Sequence, residues 1–278
     1  MSVSHDWRGE TGDAWAEEWP RTDRTLAPVN DALVAEAVAH AAAGARILDL
    51  GCGGGATSLA LADALPEARI TGVDLSSALV AVARARAGEG GRLSFEVGDA
   101  ASWSPAEAAF DLIVSRHGVM FFDDPVAAFT HIKGLARPGA SLIFSCFRDR
   151  RDNEWVRAMR PVFERFAPET LAAPEPPTGP FAFGDPRRIY EILCEAGFAA
   201  PEMAPLDFDF VVGAGEEPIA GAMAYFTRVG PIAVMLRGIA EADRAAATAM
   251  IASIAAEHER DGRIAFAAAA WIVRSVRP

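Results

Sequence analysis

The first half of the chain alternates between two textures. Short apolar runs, most of them closing on Asp, Ser or Gly, are separated by stretches whose apolar positions recur at helical spacing. The runs predict strands over residues 46–50, 69–74, 93–97, 110–115 and 141–147, and the stretches between them predict helices over 56–65, 77–87 and 125–136. Pro66, Gly88, Gly90, Gly91 and the triplet Arg137-Pro138-Gly139 act as stops. Strands that alternate with helices imply right-handed crossovers, and therefore an α/β fold with a doubly wound, mostly parallel sheet.

The flanks read differently. Residues 4–43 read as helix, punctuated by Pro20 and Pro28 and carrying Trp7, Trp15 and Trp19; Asn30 or Asp31 would cap its longer part and Gly44 would end it. Downstream, an amphipathic helix is expected over 153–166. A proline-rich loop or lid follows over 168–180 with Phe181 and Phe183 behind it, then a helix over 185–196 capped by Asp185 with Pro186 in its first turn. A strand over 206–212, mostly helical sequence over 216–259 and a last apolar strand over 267–276 complete the pattern. The expected organisation is a helical cap segment (1–44), a cofactor-binding core (45–150) and a third part (151–278) supplying cap insertions and the strands that finish the sheet.

Composition narrows function more than fold. The 278 residues are 51% hydrophobic, enough for a sizeable core. A net charge of −12 argues against gripping nucleic acid or docking on an anionic membrane, both of which need clustered Lys and Arg. Cys52, Cys146 and Cys194 are too scattered for a disulfide framework or a zinc site, which suits a reducing cytoplasm. The N-terminal stretch has no apolar core of the kind a signal peptide needs.

The chemistry starts at Asp49-Leu50-Gly51-Cys52-Gly53-Gly54-Gly55, between the first strand and the helix after it. Glycines there let the backbone approach a ligand closely. The loop fits the dinucleotide pattern G-x-G-x-x-[GA] through Gly51, Gly53 and Ala56, and also [DE]-x-G-x-G-x-G through Asp49, Gly51, Gly53 and Gly55. A dinucleotide fold has no need of an acid at the strand end, whereas the amino group of S-adenosylmethionine suits one. Asp74 closes the second strand, where a carboxylate can accept from both ribose hydroxyls of either cofactor class. Asp99 follows the third strand, where an acid can accept from the adenine amino group. Three acids at successive strand ends favour cofactor binding over chance.

In the stretches ILDLGCGGGATSLALA, ITGVDLSSALVAVARARA, FEVGDA, FDLIVSRHGVMFFDDPVAAF and LARPGASLIFSCFRD, the chain resembles the class I S-adenosylmethionine-dependent methyltransferases of the type 11, UbiE-like branch. The resemblance is specific over residues 46–149 and looser at the N-terminal tryptophans and at FAFGDPRRIYEILCEAGF. It implies a Rossmann-like, seven-stranded sheet with an antiparallel last strand and a helical cap. It also implies site roles. Asp49, Gly51, Cys52, Gly53 and Gly55 would cradle the methionine part and ribose; Asp74 would take the ribose hydroxyls with Leu75 on the adenine, and Asp99 and Ala100 would face the base. The backbone at Ser115 and Arg116 would approach the methionine end, and Trp15 would close over the cofactor.

One position departs from that family. Many relatives carry Phe where this chain has His117, at the carboxyl end of the fourth strand. His117 is either a general base for a hydroxyl or amine acceptor, or a pocket-lining, hydrogen-bonded residue. Arg116 would hold an acidic substrate, the cofactor carboxylate or a structural ion pair. Met120, Phe121 and Phe122 would line an acceptor pocket or belong to the core. His131 would face outward from its helix. The expected activity is O- or N-methyl transfer to a small molecule without a metal, giving S-adenosylhomocysteine as product, by a monomer or homodimer. An NAD(P)-dependent oxidoreductase and a non-catalytic S-adenosylmethionine-binding module are the alternatives.

Overall fold

The computed structural model describes residues 6–88, 90–105, 109–172 and 176–278. The start of the expected first helix (4–5) and part of the proline-rich segment (173–175) lie outside the described residues. The elements in chain order are α1 (Glu10–Glu17), α2 (Trp19–Thr25), α3 (Ala27–His40), β1 (Arg46–Leu50), α4 (Ala56–Ala64), β2 (Arg69–Asp74), α5 (Ser77–Ala87), β3 (Leu93–Val97), β4 (Phe110–Arg116), α6 (Pro125–Leu135) and β5 (Ala136–Phe147). They continue with α7 (Glu154–Phe166), α8 (Pro168–Ala172), α9 (Pro186–Glu195), β6 (Glu202–Ala214), α10 (Pro218–Arg228), α11 (Gly230–Gly238), α12 (Glu241–Glu257), β7 (Glu259–Arg260) and β8 (Arg263–Val276).

The strands run in the order β3-β2-β1-β4-β5-β8-β6. β1 to β5 pair in parallel, and β8 runs antiparallel to both β5 and β6. The central strands β1 and β4 are apolar on both sides because both faces of the sheet are covered there, whereas β3 at the edge leaves Ser94, Glu96 and Val97 exposed. Ile47, Leu112, Val114 and Ile143 turn to the face packed by Leu33 and Ala37 of α3 and Leu61 of α4. Leu48, Leu50, Ile113, Leu142 and Phe144 turn to the opposite layer with Phe129 and Ile132 of α6 and Ile189 of α9. That alternation fixes the register, since a one-residue slip would exchange the faces.

Several expectations are corrected. The N-terminal stretch is three helices, and Pro20 and Pro28 sit in the first turns of α2 and α3, where a missing N–H costs nothing. Asn30 and Asp31 therefore lie inside α3 and do not cap it, and α3 ends at His40 rather than at Gly44. β5 starts at Ala136, because Gly139 takes a positive φ of 81° and the strand continues through the triplet expected to stop it. β6 starts at Glu202 and contains Pro205, which an edge strand tolerates. β8 starts at Arg263, and Asp261 and Gly262, both at positive φ, turn the two-residue β7 back onto it as an eighth strand. Part of the proline-rich segment is the short helix α8. His131 is half-buried, its Nε2 2.7 Å from the carbonyl oxygen of Trp103. No single described helix is long and apolar enough to cross a membrane.

The ends of β1 and β4 are pulled together at the carboxyl edge of the sheet. Ser115 Oγ donates to the carbonyl of Leu50 at 2.7 Å. A Cβ on Gly118 would lie 2.9 Å from that same oxygen and 2.8 Å from Ser115 Oγ, so only glycine fits. Gly134 in α6 has open space where its Cβ would be. Gly118→Ala is expected to lower stability by about 1–3 kcal/mol through overpacking, while Gly134→Ala is expected to raise it by up to ~1 kcal/mol. Urea unfolding of the two variants checks both signs.

Candidate functional site

The glycine turn that leaves β1 is held from below and from the side. Gly51, Gly53 and Gly55 all take positive φ, and Gly51 and Cys52 donate their N–H groups to the carbonyl of Val73 on β2. A side chain on Gly51 would meet Gly118 Cα at 3.1 Å; one on Gly55 would meet Ala83 at 3.0 Å and Phe95 at 3.2 Å. Gly51 thus allows the approach of the β4 end, and Gly55 allows α4 to pack against α5 and β3. Cys52 turns its thiol into a small buried cluster with Val80, Ala83 and Phe95, and burial raises its pKa.

Two of the three strand-end acids organise this turn. Asp74 accepts from the N–H of Gly53 and of Ser76, each at 2.9 Å, so it braces the glycine turn while keeping lone pairs free. Burial nevertheless raises its pKa, against those two hydrogen bonds. Asp49 lies deeper. It accepts a 2.6 Å hydrogen bond from Ser58 and its Oδ1 is buried without a partner. Burial raises its pKa to about 6, with Ser58 and Arg116 pulling the other way. Asp99 accepts from the Ala101 N–H at 2.9 Å, which shapes the turn after β3.

The glycine turn, Asp74 and Asp99 border a cavity of about 400 Å³, within the usual range for small-molecule sites. Of the residues expected to bind a cofactor, Gly51, Cys52, Gly53, Asp74, Leu75, Asp99, Ala100, Arg116 and Trp15 line it, as do His117, Met120, Phe121 and Phe122. Asp49, Gly55 and Ser115 do not; Asp49 sits beneath the turn, Gly55 serves packing, and Ser115 is committed to Leu50. The far wall comes from segments that sequence reasoning did not connect to the site: Trp155 of α7, Phe210 of β6, Tyr225 and Arg228 of α10 and Arg237 of α11. Asp23 of α2 was missed as well. It pairs with Arg116 at 3.1 Å and with Arg86 at 2.9 Å, and Arg86 also lies 4.0 Å over the Trp19 ring and donates to the carbonyl of Gly54. These contacts clamp the N-terminal helices onto the glycine turn, and nothing local in the sequence announces them.

His117 is unusual in three respects. It takes a left-handed φ of 58°, uncommon outside glycine and Asn. Its Nδ1 lies 2.7 Å from Ser145 Oγ on β5 and its ring stands edge-on to Phe147 at 4.3 Å. Its Nε2 is buried without a partner, and burial, then the Arg116 charge, lower its pKa to about 3. Such an imidazole is neutral across the physiological range. Four buried polar atoms with no partner belong to residues around the cavity: Thr22 Oγ1, Arg116 Nη1, His117 Nε2 and Trp155 Nε1. Among the described residues no group of three or more His, Cys, Asp or Glu side chains is placed to hold a metal ion.

A parallel sheet with a glycine turn after β1, acids at the ends of β2 and β3 and a cavity outside the carboxyl edge is the arrangement of Rossmann-like folds, which bind their ligands at that edge. Residues 47–139 match the methyltransferase domain family. Trans-aconitate 2-methyltransferase of Streptomyces avermitilis is 45% identical over 106 residues, 36% of this chain and 38% of that one. Malonyl-[acyl-carrier protein] O-methyltransferase of a Paenibacillus species is 28% identical over 159 residues, 55% of each chain. The chain thus spans about half or less of the length of the curated relatives it matches. Among solved structures, phosphoethanolamine N-methyltransferase 2 of Haemonchus contortus, in complex with S-adenosyl-L-methionine, superposes with a TM-score of 0.55 at 18% identity, over 99% of this chain and 59% of that one. The [4+2]-cyclase SpnF superposes with a TM-score of 0.54 at 19% identity, over 96% and 95%. Likeness at that level shows the fold and leaves the reaction to the site.

The His117 environment sets a pH signature. Its folded pKa of about 3 lies below the unfolded value near 6.5, so the unfolded chain takes the proton first and stability is lost as pH falls through that window. Asp49 acts oppositely: its folded pKa of about 6 exceeds the unfolded value, so it protonates first in the folded state. His117→Asn tolerates the left-handed backbone and cannot titrate. It is expected to reduce the stability lost between pH 6.5 and pH 5 by about 2 kcal/mol, measured by urea unfolding at both pH values.

Proposed function

We propose that the chain is an S-adenosylmethionine-dependent methyltransferase acting on a small molecule by direct in-line displacement. The observation that carries this reading is the single cavity that runs from the glycine turn and Asp74 at one end to His117 and the cap aromatics at the other. The residues present fit the cofactor. Gly51 and Gly53 keep the turn bare of side chains, Asp49 Oδ1 is an orphaned acceptor beneath it, and Arg116 Nη1 is an orphaned donor beside it.

In this reading Gly51, Cys52 and Gly53 carry the backbone that cradles the methionine and ribose, and Asp74 accepts the ribose hydroxyls. Leu75, Asp99 and Ala100 bound the adenine. The orphaned oxygen of Asp49 serves the cofactor's ammonium, directly or through water, and the spare N–H of Arg116 serves its carboxylate. The Trp15 ring lies tilted against Trp7 at 5.6 Å and Trp7 stands edge-on to Phe121 at 5.1 Å, and this aromatic group covers the site from the N-terminal side.

When bound, S-adenosylmethionine supplies a sulfonium methyl that an acceptor attacks in line, the new bond to carbon forming as the C–S bond breaks and S-adenosylhomocysteine and a proton leave. The protein's part is alignment and exclusion of water. Of the two readings of His117, the neutral imidazole favours the hydrogen-bonding one: Ser145 fixes one ring nitrogen and the other is left to hold the acceptor. A group with a pKa near 3 is a poor proton acceptor at neutral pH. The proposed domain division assigns the helices before β1 and the segments after β5 to the cap. A cytoplasmic location and a monomeric or dimeric state are proposed with it.

The test is a thermal-shift titration. S-adenosylhomocysteine at a hundred times its Kd is expected to stabilise the protein by about 2.7 kcal/mol, with NAD leaving the midpoint unchanged. Asp74→Ala removes the partner of two N–H groups as well as a ligand contact, and is expected to weaken S-adenosylhomocysteine at least tenfold. Stabilisation by NAD and not by S-adenosylhomocysteine would overturn the reading in favour of an oxidoreductase.

A further inference from the structure

The cap half of the cavity is built of rings. His117 meets Phe147 edge-on at 4.3 Å, Phe147 lies 6.0 Å from Trp155 and 6.1 Å from Phe210, and Phe210 lies 6.0 Å from Tyr225. Trp155 and Phe210 are stacked at 5.4 Å with 15° between their planes. These five residues come from five segments distant in sequence, the turn after β4 and the elements β5, α7, β6 and α10, and all line the cavity. Two buried polar atoms in this wall have no partner, His117 Nε2 and Trp155 Nε1. An aromatic wall with only two unsatisfied polar groups matches a flat apolar body that carries one or two hydrogen-bonding atoms.

Charge points the same way. Around the cavity stand five carboxylates (Asp23, Asp74, Asp99, Asp123, Asp124) and three guanidiniums (Arg116, Arg228, Arg237). Arg116 is engaged by Asp23, and Arg228 pairs with Glu17 and Glu18. Only Arg237, exposed at the rim, makes no ion pair among the described residues. A polycarboxylate entering this cavity would shed its hydration with only Arg237 at the rim and one spare N–H of Arg116 to replace it.

We propose that the acceptor is a planar aromatic compound bearing an oxygen nucleophile and at most one negative charge, seated among Phe147, Trp155, Phe210 and Tyr225 with its oxygen at His117 Nε2. The proposal rests on the methyltransferase reading and names its substrate class. The acceptor oxygen would form the new bond to the methyl carbon as the C–S bond breaks; a hydroxyl acceptor passes its proton to solvent or buffer, and a carboxylate acceptor has none to release. The product is an aryl methyl ether, or a methyl ester when the oxygen is a carboxylate.

Calorimetric titration of the full chain saturated with S-adenosylhomocysteine tests this, using 2-naphthol against trans-aconitate, the acceptor named for the relatives. The expected result is that 2-naphthol binds at least tenfold more tightly than trans-aconitate. Trp155→Leu should weaken 2-naphthol at least fivefold and leave S-adenosylhomocysteine within twofold of the unaltered chain, which also shows that the variant folds. Equal or tighter binding of trans-aconitate, or binding of neither compound at millimolar concentration, would overturn the proposal without using any variant. If S-adenosylhomocysteine itself fails to bind, the cofactor reading falls. The same comparison on the chain alone then decides the acceptor class separately.

Discussion

The close approach of β1 and β4 at the carboxyl edge is the constraint on which the site depends. Parallel pairing brings Asp49 beside Val114, and the hydrogen bond from Ser115 to Leu50 then holds the two strand ends together. Glycine at both Gly51 and Gly118 lets the two backbones pass within van der Waals contact. The glycine turn therefore ends up directly beside the residue that follows Arg116. Without that proximity, the turn would be a generic cofactor cradle with no acceptor side chain near it. With it, His117 is carried in a left-handed conformation to where the two halves of the cavity meet.

Electrostatics around this junction are set by burial more than by pairing. His117 is pushed to the neutral form, Asp49 and Asp74 are pushed towards theirs, and Arg116 stands among them tied to Asp23. Asp23 in turn reaches Arg86, whose guanidinium covers Trp19 and holds the carbonyl of Gly54. The N-terminal helices are thus fastened to the same turn that would hold the cofactor. A ligand seated there would touch the same turn that these contacts hold, whereas an isolated surface ion pair would have no part in the site.

The core was legible from sequence because its strands are short runs with an apolar face, buried on both sides in β1 and β4, and each crossover helix has its own stop. β1, β2, α5 and β3 have the expected bounds for that reason. Boundaries failed where backbone freedom outweighed composition: Gly139 lets β5 run through a proline, and Asp261-Gly262 forms a hairpin too short to show as a strand pattern. Of the site, the glycine turn and the strand-end acids could be read, since each is a local motif. The partners of Arg116, the Ser145 bond to His117 and the aromatic wall could not. Asp23, Trp155, Phe210 and Tyr225 come together only through tertiary packing, and no spacing in the chain encodes their meeting. His117 stood out by type, but its protonation state follows from burial that only the fold supplies.

The central claim is that one cavity holds the cofactor along the glycine turn and leaves the aromatic half for the acceptor. A crystal structure of the chain with S-adenosylhomocysteine tests it most directly. The account predicts ligand density along residues 51–54, with the ribose on Asp74, the adenine beside Asp99 and the space among Phe147, Trp155, Phe210 and Tyr225 left open. Density filling that aromatic space, or lying away from the glycine turn, would contradict it.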